Sequence, residues 1–482
     1  MRWSWLDAAD RRVGDALERV LMAHHARRLR RLGWGEVLES DRAGDRYAAG
    51  RPPSEGNEVE VLVDGTQAIP AMVEAITNAR SHVYIAAWHA SADFEVVREP
   101  GPTTLRELLS EAAQRVPVRV LMWAGPPVPL FEPTRRRAKK ACDGLSAGTG
   151  VRCVLDSRGR SMHCHHEKLL VVDDEVAFVG GIDFTALEGD RHDSNDHPPD
   201  RELGWHDLAV RLRGPVVADV AQHFRQRWVE VAREPLPEPE PPPAVGRVTA
   251  QLVRTVPERT YKFAPRGEFS ILDAYLRALR STRSLIYLEN QFLWSPEITE
   301  VLVDKLRHPP TDRFRLVLLL PRRPTNGADT TRGQLGRLIA ADGGASRLVA
   351  ATINAHGPGT SVPVYVHAKV AVVDDEWLTI GSANLNEHSM FNDTEVNVVV
   401  GDPDLARATR LRLWSEHLQR PESELVGDPA DLVDNLWRPL AEEQSERERA
   451  GLPPTHRLSL LPGVSRRTAR LGGPLRGLLV DG

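Results

Sequence analysis

The chain has 482 residues, of which 41% are hydrophobic and 27% charged, and its formal net charge is −5. This length and composition are ample for two hydrophobic cores. The negative net charge gives no general signature of nucleic-acid binding. The three cysteines, Cys142, Cys153 and Cys164, do not suggest a secreted scaffold built on disulfides.

The first 45 residues carry no signal of secretion or membrane insertion. No segment of the chain approaches the length and apolarity of a membrane span, and the N-terminus lacks a signal-peptide core, so we expect a cytoplasmic protein. Residues 1–45 are dominated by a basic helical pattern in which Val13, Leu17 and Val20 share one side. Such a helix either makes peripheral contact with an anionic membrane or packs on the domain, and both interpretations stay open.

Two stretches of similar length follow, residues 46–232 and 246–425. Each alternates helical patterns with short β-rich runs, which predicts an α/β fold with mixed or mostly parallel sheets. The order of elements is the same in both, so we expect two pseudo-symmetric α/β sandwich halves. Residues 233–245, rich in proline and glutamate, predict an extended linker. Residues 426–482 are assigned to a C-terminal tail.

A short pattern, His-x-Lys-x-x-x-x-Asp, occurs once in each half. The first copy consists of His166, Lys168 and Asp173, and the second of His367, Lys369 and Asp374. The flanking residues match as well: each copy continues through Asp-Asp-Glu and an apolar run to a pair of small residues. Because alternate residues of a strand face the same side, histidine and lysine of each copy should project together.

Paired histidines and lysines suit a reaction at a phosphodiester. The lysines would neutralise the phosphoryl oxygens, one neutral imidazole would attack phosphorus, and the other, protonated, would serve the leaving oxygen. Ser382 and Asn384, with Asp183 at the position equivalent to Asn384, are further candidates for the phosphate-binding site.

Each reactive histidine needs a carboxylate that fixes its tautomer. Asp207 and Glu395 are the best candidates, because each stands at the head of an apolar strand downstream of a motif. Asp173 and Asp374 are candidates for the catalytic set too, but they lie several residues along the strand and suit backbone hydrogen bonding in a turn better.

These motifs, with the strings GGIDF at 180–184, WHDLAVRLRGP at 205–215 and IYLENQFL at 286–293, resemble the phospholipase D superfamily from about residue 61 to residue 420. The resemblance implies a bilobed monomer with one active site between the halves and no cofactor. It also implies that His166 is the nucleophile and His367 the general acid and base. The implied substrates are a glycerophospholipid and a water or alcohol acceptor, as in phospholipase D and cardiolipin synthase-like enzymes.

Three alternatives accompany this interpretation. A metal-independent phosphodiesterase acting on nucleic acid would favour a basic surface, and the net charge is negative, so no nucleic-acid partner is expected. A non-catalytic scaffold is disfavoured because both histidines and both lysines are present. The run His163-Cys164-His165-His166 offers zinc ligands, but neighbours on a strand face opposite sides, so no metal site is predicted there.

Overall fold

The computed structural model describes residues 4–39, 46–127, 132–159, 163–187, 189, 192, 197, 204–325, 328–357 and 360–461. The sequence-assigned tail beyond residue 461 and most of the acidic segment 188–203 lie outside the described residues.

In the described part of the N-terminal half there are ten strands, and two helices, α1 and α2, precede them. Its strands are β1 Ser54–Val63, β2 Val83–Ala87, β3 Glu95–Val97, β4 Thr103–Thr104, β5 Val118–Trp123, β6 Arg152–Asp156, β7 Leu169–Val172, β8 Val176–Gly180, β9 Gly204–His206 and β10 Leu208–Arg213. The helices up to the linker are α1 Ser4–Leu32, α2 Glu36–Glu39, α3 Gly65–Thr77, α4 Leu105–Ala113, α5 Arg135–Ser146 and α6 Val216–Ala232.

The C-terminal half repeats this alternation. Its strands are β11 Val248–Val256, β12 Glu268–Phe269, β13 Leu285–Glu289, β14 Arg315–Leu319, β15 Leu348–Gly357, β16 Thr360–Val366, β17 Val370–Val373, β18 Trp377–Gly381, β19 Glu395–Val400 and β20 Leu458–Leu460. Its helices are α7 Ser270–Ser281, α8 Pro296–Arg307, α9 Ala328–Asp342, α10 Pro403–Leu418, α11 Pro429–Leu432 and α12 Arg438–Arg449.

The sheets of the two halves have the same strand order. In the N-terminal half the order is β1-β10-β8-β7-β2-β5-β6, and in the C-terminal half it is β11-β19-β18-β17-β13-β14-β15. In each, only the last three strands run parallel to one another. The predicted α/β fold with mixed sheets and internal duplication is therefore confirmed.

The motif strands lie at the centre of this arrangement. β7 and β17 follow directly after the motif lysines, and every residue of both strands is buried. The continuous apolar runs of the motifs fit strands covered on both faces, where alternation with polar residues is not needed. The sheets meet through β1 and β11, which pair antiparallel. The lysine of each motif thus directly precedes a fully buried strand.

The proline-rich connection runs along the N-terminal half without forming helix or strand from residue 233 to residue 245. Glu234 binds the guanidinium groups of Arg119 and Arg152 and accepts a hydrogen bond of 2.8 Å from the indole of Trp228. The carbonyl of Pro237 accepts from Arg225. These contacts fix the start of the linker to the half that precedes it.

Part of the sequence-assigned tail is folded. β20 pairs antiparallel with β15, and the segment that leads to it includes α11 and α12. Trp437 is fully buried against Tyr287 and Trp414. β20 thus adds a strand beside β15, and the sequence did not indicate this because the stretch has no counterpart in the N-terminal half.

Helix α1 packs its C-terminal part on the C-terminal half. Leu29 is buried there, and the guanidinium of Arg28 binds Glu258 at 2.6 Å. Further towards the N-terminus, Leu17 and Val20 are 43% and 65% exposed. The helix thus combines a packed end with exposed apolar residues, and its contact with a membrane stays a prediction. Among the described residues, no helix has both the length and the apolarity of a bilayer span.

A buried histidine anchors α1. His25 lies 2.7 Å from Glu297 and 3.3 Å from Glu387, and its ring stacks on Phe391 with centroids 4.0 Å apart. Burial alone would lower the pKa of His25, but the two carboxylates raise it to about 9. The imidazole is therefore positively charged at neutral pH and is paired with carboxylates on both nitrogens.

We expect His25→Gln to destabilise the protein in a pH-dependent way. The pKa of this group is about 9 in the folded protein and about 6.5 in the unfolded chain. The contribution of His25 to the free energy of unfolding is therefore complete below about pH 6.5, where it amounts to at most about 3 kcal/mol. It is lost as the pH rises through the pKa of His25 in the folded protein. Thermal unfolding of both proteins from pH 6 to pH 10 measures it. A constant difference between them would contradict the assignment.

Candidate active site

The first motif histidine sits on a segment that pairs with the other half. The backbone N–H of His166 donates to the carbonyl of Thr394 at 3.0 Å, and that of Thr394 donates to the carbonyl of Cys164 at 3.1 Å. This short parallel pairing brings Glu395, the first residue of β19, beside the imidazole. The N-terminal motif is thus placed against a strand of the C-terminal half.

Glu395 holds the imidazole of His166 through Nδ1. Its Oε1 lies 3.0 Å from Nδ1, and the carbonyl of Ser382 lies 3.1 Å from the same nitrogen. The carboxylate itself is fixed by two hydroxyl donors: Ser389 at 2.6 Å and Ser382 through a short hydrogen bond. All four side chains are buried. These contacts place the Nδ1 proton towards Glu395 and leave Nε2 as the nitrogen suited to chemistry.

The second motif histidine is held in the same manner by the N-terminal half. β16 pairs in parallel with β9, and the backbone N–H groups of His367 and Ala368 both donate to the carbonyl of His206. Asp207, the next residue, places Oδ2 2.6 Å from Nδ1 of His367. The N-terminal half therefore supplies the carboxylate for the C-terminal histidine.

The two imidazole–carboxylate pairs are crossed. His166 and Glu395 are 229 residues apart, and His367 and Asp207 are 160 residues apart. The sequence singles out all four residues but does not predict this exchange of partners. Asp207 and Glu395 occupy equivalent positions in the two halves, and such positions do not indicate which of the two histidines each carboxylate contacts. One site with two oriented imidazoles arises only where the halves meet.

Glycine at position 181 makes one of these pairs possible. A Cβ built on Gly181 would lie 2.1 Å from Oδ1 of Asp207. No side chain larger than hydrogen fits there unless the carboxylate moves away from His367. The small residue that the sequence shows after each motif therefore serves close packing, and in this half it serves the orienting carboxylate directly.

Each motif lysine lies beside its histidine and is buried. The ammonium of Lys168 donates to the carbonyl of His166 at 2.7 Å and lies 3.2 Å from Asp183. The ammonium of Lys369 donates to the carbonyl of His367 and lies 3.3 Å from the amide oxygen of Gln291. The site thus holds two fixed cations, of which one has a carboxylate partner and the other an amide partner.

The alternation expected of the motif is present. Glu167, between His166 and Lys168, turns away from them and binds His223 at 2.7 Å and the guanidinium of Arg227. His166 and Lys168 instead contact residues at the seam between the halves.

Ser382, Asp183 and Asn384, which are expected to bind the phosphate, make contacts within the protein. The Ser382 hydroxyl donates its proton to Glu395, so it orients the carboxylate that holds His166. Asp183 is an anion paired with Lys168, and a second anion would repel the phosphate oxygens. The buried Asn384, at the equivalent position, has its backbone N–H bound to the hydroxyl of Ser389. Ser382 and Asp183 thus contact the carboxylate beside His166 and the ammonium of Lys168, and phosphate binding by these residues stays a prediction.

Asp173 and Asp374 lie apart from the imidazoles, at the far ends of β7 and β17. The carboxylate of Asp173 accepts three backbone hydrogen bonds, from residues 80, 81 and 82, at 2.7 to 2.9 Å. That of Asp374 accepts the same set from residues 283, 284 and 285, at 2.7 to 2.8 Å. Both residues have positive φ, 58° and 54°. They tie the motif turn to the start of the neighbouring strand, and neither contacts a motif histidine in the contacts described.

Aromatic side chains close the site on both sides. Trp88 lies with its ring 5.8 Å from the ammonium of Lys168 and 6.5 Å from the ring of His166. Trp205 stacks on Tyr365 with centroids 4.7 Å apart and lies 4.8 Å from the ring of His367. The sequence analysis did not single out Trp205, Tyr365 or Gln291. Trp205 lies in β9, Tyr365 lies in β16 and Gln291 follows β13 by two residues, and this proximity to the motifs is a signal that could have found them.

The electrostatics beside the site favour a neutral histidine at position 89. His89 follows β2 by two residues, as Gln291 follows β13, so it occupies the equivalent place in the N-terminal half. Burial is the main cause that lowers the pKa of His89 to about 4, although Asp183 acts in the opposite direction. At neutral pH this ring therefore adds no positive charge to the site.

The His163-Cys164-His165-His166 run does not converge on one point. The thiol of Cys164 donates to Asp393 at 3.2 Å, and the ring of His165 contacts Thr394 and Asp156 at 2.9 and 3.2 Å. His166 faces Glu395. The side chains of this run have separate partners and form no tetrahedral set among the described residues.

Known protein families match both halves of the chain. Residues 75–204 match the family described as "Phospholipase D", and residues 275–415 match the family described as "Cardiolipin synthase, PLD-like domain". Each matched range includes one of the two motifs.

Two curated relatives cover most of the chain. Phospholipase D A of Dictyostelium discoideum is 25% identical over 460 residues, which cover 76% of this chain and 36% of the relative. Phospholipase D alpha 1 of Zea mays is 26% identical over 573 residues, which cover 81% of this chain and 69% of the relative. The chain thus spans about a third of the first relative's length and about two thirds of the second's.

A solved structure shares the fold. The phosphatidylserine synthase of Haemophilus influenzae Rd KW20 superposes with a TM-score of 0.51 at 12% identity, covering 82% of this chain and 93% of that chain. At this identity the similarity concerns the architecture alone.

We expect Asp173→Ala to act on stability rather than on chemistry. The substitution leaves three backbone donors without their acceptor and should lower the free energy of unfolding by about 2 to 4 kcal/mol. Asp173→Asn should cost less, because asparagine keeps an acceptor and tolerates positive φ. Urea unfolding measures both. Unchanged stability combined with loss of turnover would instead give this carboxylate a chemical role.

Proposed function

Because the chain belongs to the phospholipase D superfamily, we propose that it cleaves or exchanges the headgroup of glycerophospholipids through a phosphohistidine intermediate. The observation that carries this proposal is the pair of crossed imidazole–carboxylate contacts, each with a lysine beside it. Two oriented imidazoles and two fixed cations are the groups that in-line displacement at a phosphodiester requires.

In the first step, Nε2 of His166 attacks phosphorus and forms the P–N bond, while the bond from phosphorus to the headgroup oxygen breaks. His367, in its protonated form, donates a proton to that oxygen. Glu395 stabilises the positive charge that develops on His166. Lys168 and Lys369 supply positive charge for the phosphoryl oxygens.

In the second step, neutral His367 takes the proton of a water or alcohol molecule, whose oxygen attacks phosphorus. The P–N bond breaks, and the pair of electrons returns to Nε2 of His166. When water is the acceptor the product is phosphatidic acid, and when an alcohol is the acceptor the product is a phosphatidyl-alcohol. Both histidines regain their starting protonation states. Asp207 orients His367 for its two opposite roles.

We expect the purified protein, incubated with mixed phospholipid vesicles and a short primary alcohol, to form both phosphatidic acid and the phosphatidyl-alcohol. Mass spectrometry detects the products. His166→Ala should lower both by at least about 10³-fold, because the covalent step is lost. The matched control is His308→Ala, because His308 is exposed and pairs only with Asp304 in the described contacts. This variant should form both products at the level of the unmodified protein. Cleavage of single-stranded DNA without either lipid product would replace the lipid proposal by the nuclease alternative.

The crossed contacts predict different defects for the two carboxylates. Asp207→Asn impairs His367, the general acid. Because p-nitrophenolate is a good leaving group and needs no acid, a phosphatidyl-p-nitrophenol substrate should still give a burst of nitrophenolate, followed by slow turnover. Glu395→Gln impairs the nucleophile and should abolish the burst. Each should lower turnover by about 10²- to 10⁴-fold. Stopped-flow absorbance measures this.

The control for that experiment is Asp143→Asn, a mostly exposed carboxylate paired with Lys139. It should retain the kinetics of the unmodified protein. A burst in Glu395→Gln and none in Asp207→Asn would reverse the assignment and make His367 the nucleophile.

A further inference from the structure

A second group of histidines and carboxylates lies directly behind the Asp207–His367 pair. We call it the histidine–carboxylate cluster; its members are Asp64, His197, His206 and Glu416. Three belong to the N-terminal half and the fourth to α10 of the C-terminal half. Their side chains are at most 3% exposed. The proposed reaction uses none of them directly.

The donor atoms of this cluster face one another. Nδ1 of His206 lies 3.0 Å from Oδ1 of Asp64 and 3.3 Å from Oε1 of Glu416. Nε2 of His197 lies 3.1 Å from that same glutamate oxygen and 3.8 Å from Oδ2 of Asp64. One donor atom from each residue can be chosen such that all four lie within 4.8 Å of one another. The edge of a tetrahedron with zinc-to-ligand distances of 2.0 to 2.1 Å is about 3.3 Å, close to these separations.

Two oxygens of the cluster point to a ligand that is not a protein group. Oδ2 of Asp64 and Oε2 of Glu416 are buried and have no hydrogen-bond partner among the described residues. Buried carboxylate oxygens are normally paired or coordinate a metal, because burying an uncompensated negative charge is costly.

The surroundings of His206 complete the pattern. Its other nitrogen, Nε2, lies 2.8 Å from Glu289, which also contacts His417 at 2.9 Å and the hydroxyl of Tyr287. Metal-bound histidines usually donate their second ring N–H to a carboxylate, which fixes the ring and raises its basicity. Asp64 is held as well, because the backbone N–H of Asp207 donates to its Oδ1 at 3.0 Å.

We propose that the histidine–carboxylate cluster binds one divalent transition-metal ion with the ligand preferences of zinc. Two imidazole nitrogens and two carboxylate oxygens suit that class of ion better than calcium or magnesium, which prefer sets of oxygens alone. The ion joins the two halves through Glu416 and supports the segments that carry Asp207 and His367. Its role is structural, and the proposal does not depend on the reaction that the active site performs.

The test measures binding of zinc and of cobalt to the full chain. We expect the protein purified with zinc to keep one ion per chain after gel filtration, by elemental analysis. After removal of zinc with a chelator, titration with Co²⁺ should saturate at one ion per chain and give visible ligand-field absorption of a tetrahedral site. Chelator should lower the Tm, and zinc should restore it.

Variants separate the cluster from other sites. Glu416→Gln and His197→Ala should weaken zinc binding by at least about 100-fold, and Glu289→Gln by about 10- to 100-fold. His25→Gln removes another buried histidine with carboxylate partners and should keep full zinc binding.

Substoichiometric metal, no saturable cobalt spectrum and a Tm insensitive to chelator in the unmodified protein would overturn the proposal and leave a hydrogen-bonded network. These measurements on the unmodified chain decide the matter even where a variant fails to fold.

Discussion

The structure depends on an exchange: each half of the molecule holds the motif histidine of the other. Glu395 fixes His166 and Asp207 fixes His367, and both contacts are buried at the junction of the two sheets. Buried charged pairs stabilise a fold only when their geometry is good and their remaining hydrogen bonds are made. Here two serine hydroxyls serve Glu395 and a backbone N–H serves Asp207, so the exchange also fixes the relative position of the halves.

The same junction explains why the two halves are alike in topology but not in detail. Lys168 has Asp183 as its partner where Lys369 has Gln291, and Trp88 faces one lysine while Trp205 faces the other histidine. A reaction that needs one nucleophile and one acid benefits from such differences, because identical environments would give both imidazoles the same protonation state. The pseudo-symmetry therefore supplies the framework, and the departures from it give the two motif histidines different surroundings.

Much of the fold and of the candidate site was predictable from sequence. The rest could not be predicted, and the reasons are physical. The alternation of helices and strands and the positions of His166 and Lys168 follow from a repeated local pattern, which period and spacing reveal. The burial of Asp173 oxygens against backbone follows from its place several residues past the histidine. By contrast, the sequence predicts that the Ser382 hydroxyl binds the phosphate. Only the three-dimensional position of Glu395 reveals that this carboxylate accepts from the hydroxyl.

Contacts between distant segments were the least accessible to sequence. The partners of His206 are Asp64, directly after β1, Glu416 in α10 and Glu289 in β13, and no local pattern relates these segments. The folded stretch 429–460 is hidden for another reason, because a repeat can be recognised only where both copies exist. The sequence therefore reports well on what each half does alone and poorly on what the halves do together.

The exchange of carboxylates also affects the protein while it is being made. Domains generally fold as units, and the N-terminal one emerges first during synthesis. When His166 leaves the ribosome, the residue that must orient it is still 229 positions from being added. An unfinished chain therefore contains His166 without the carboxylate that contacts its ring in the folded protein. Under the proposed mechanism, the oriented nucleophile therefore exists only once both halves have been made and have docked.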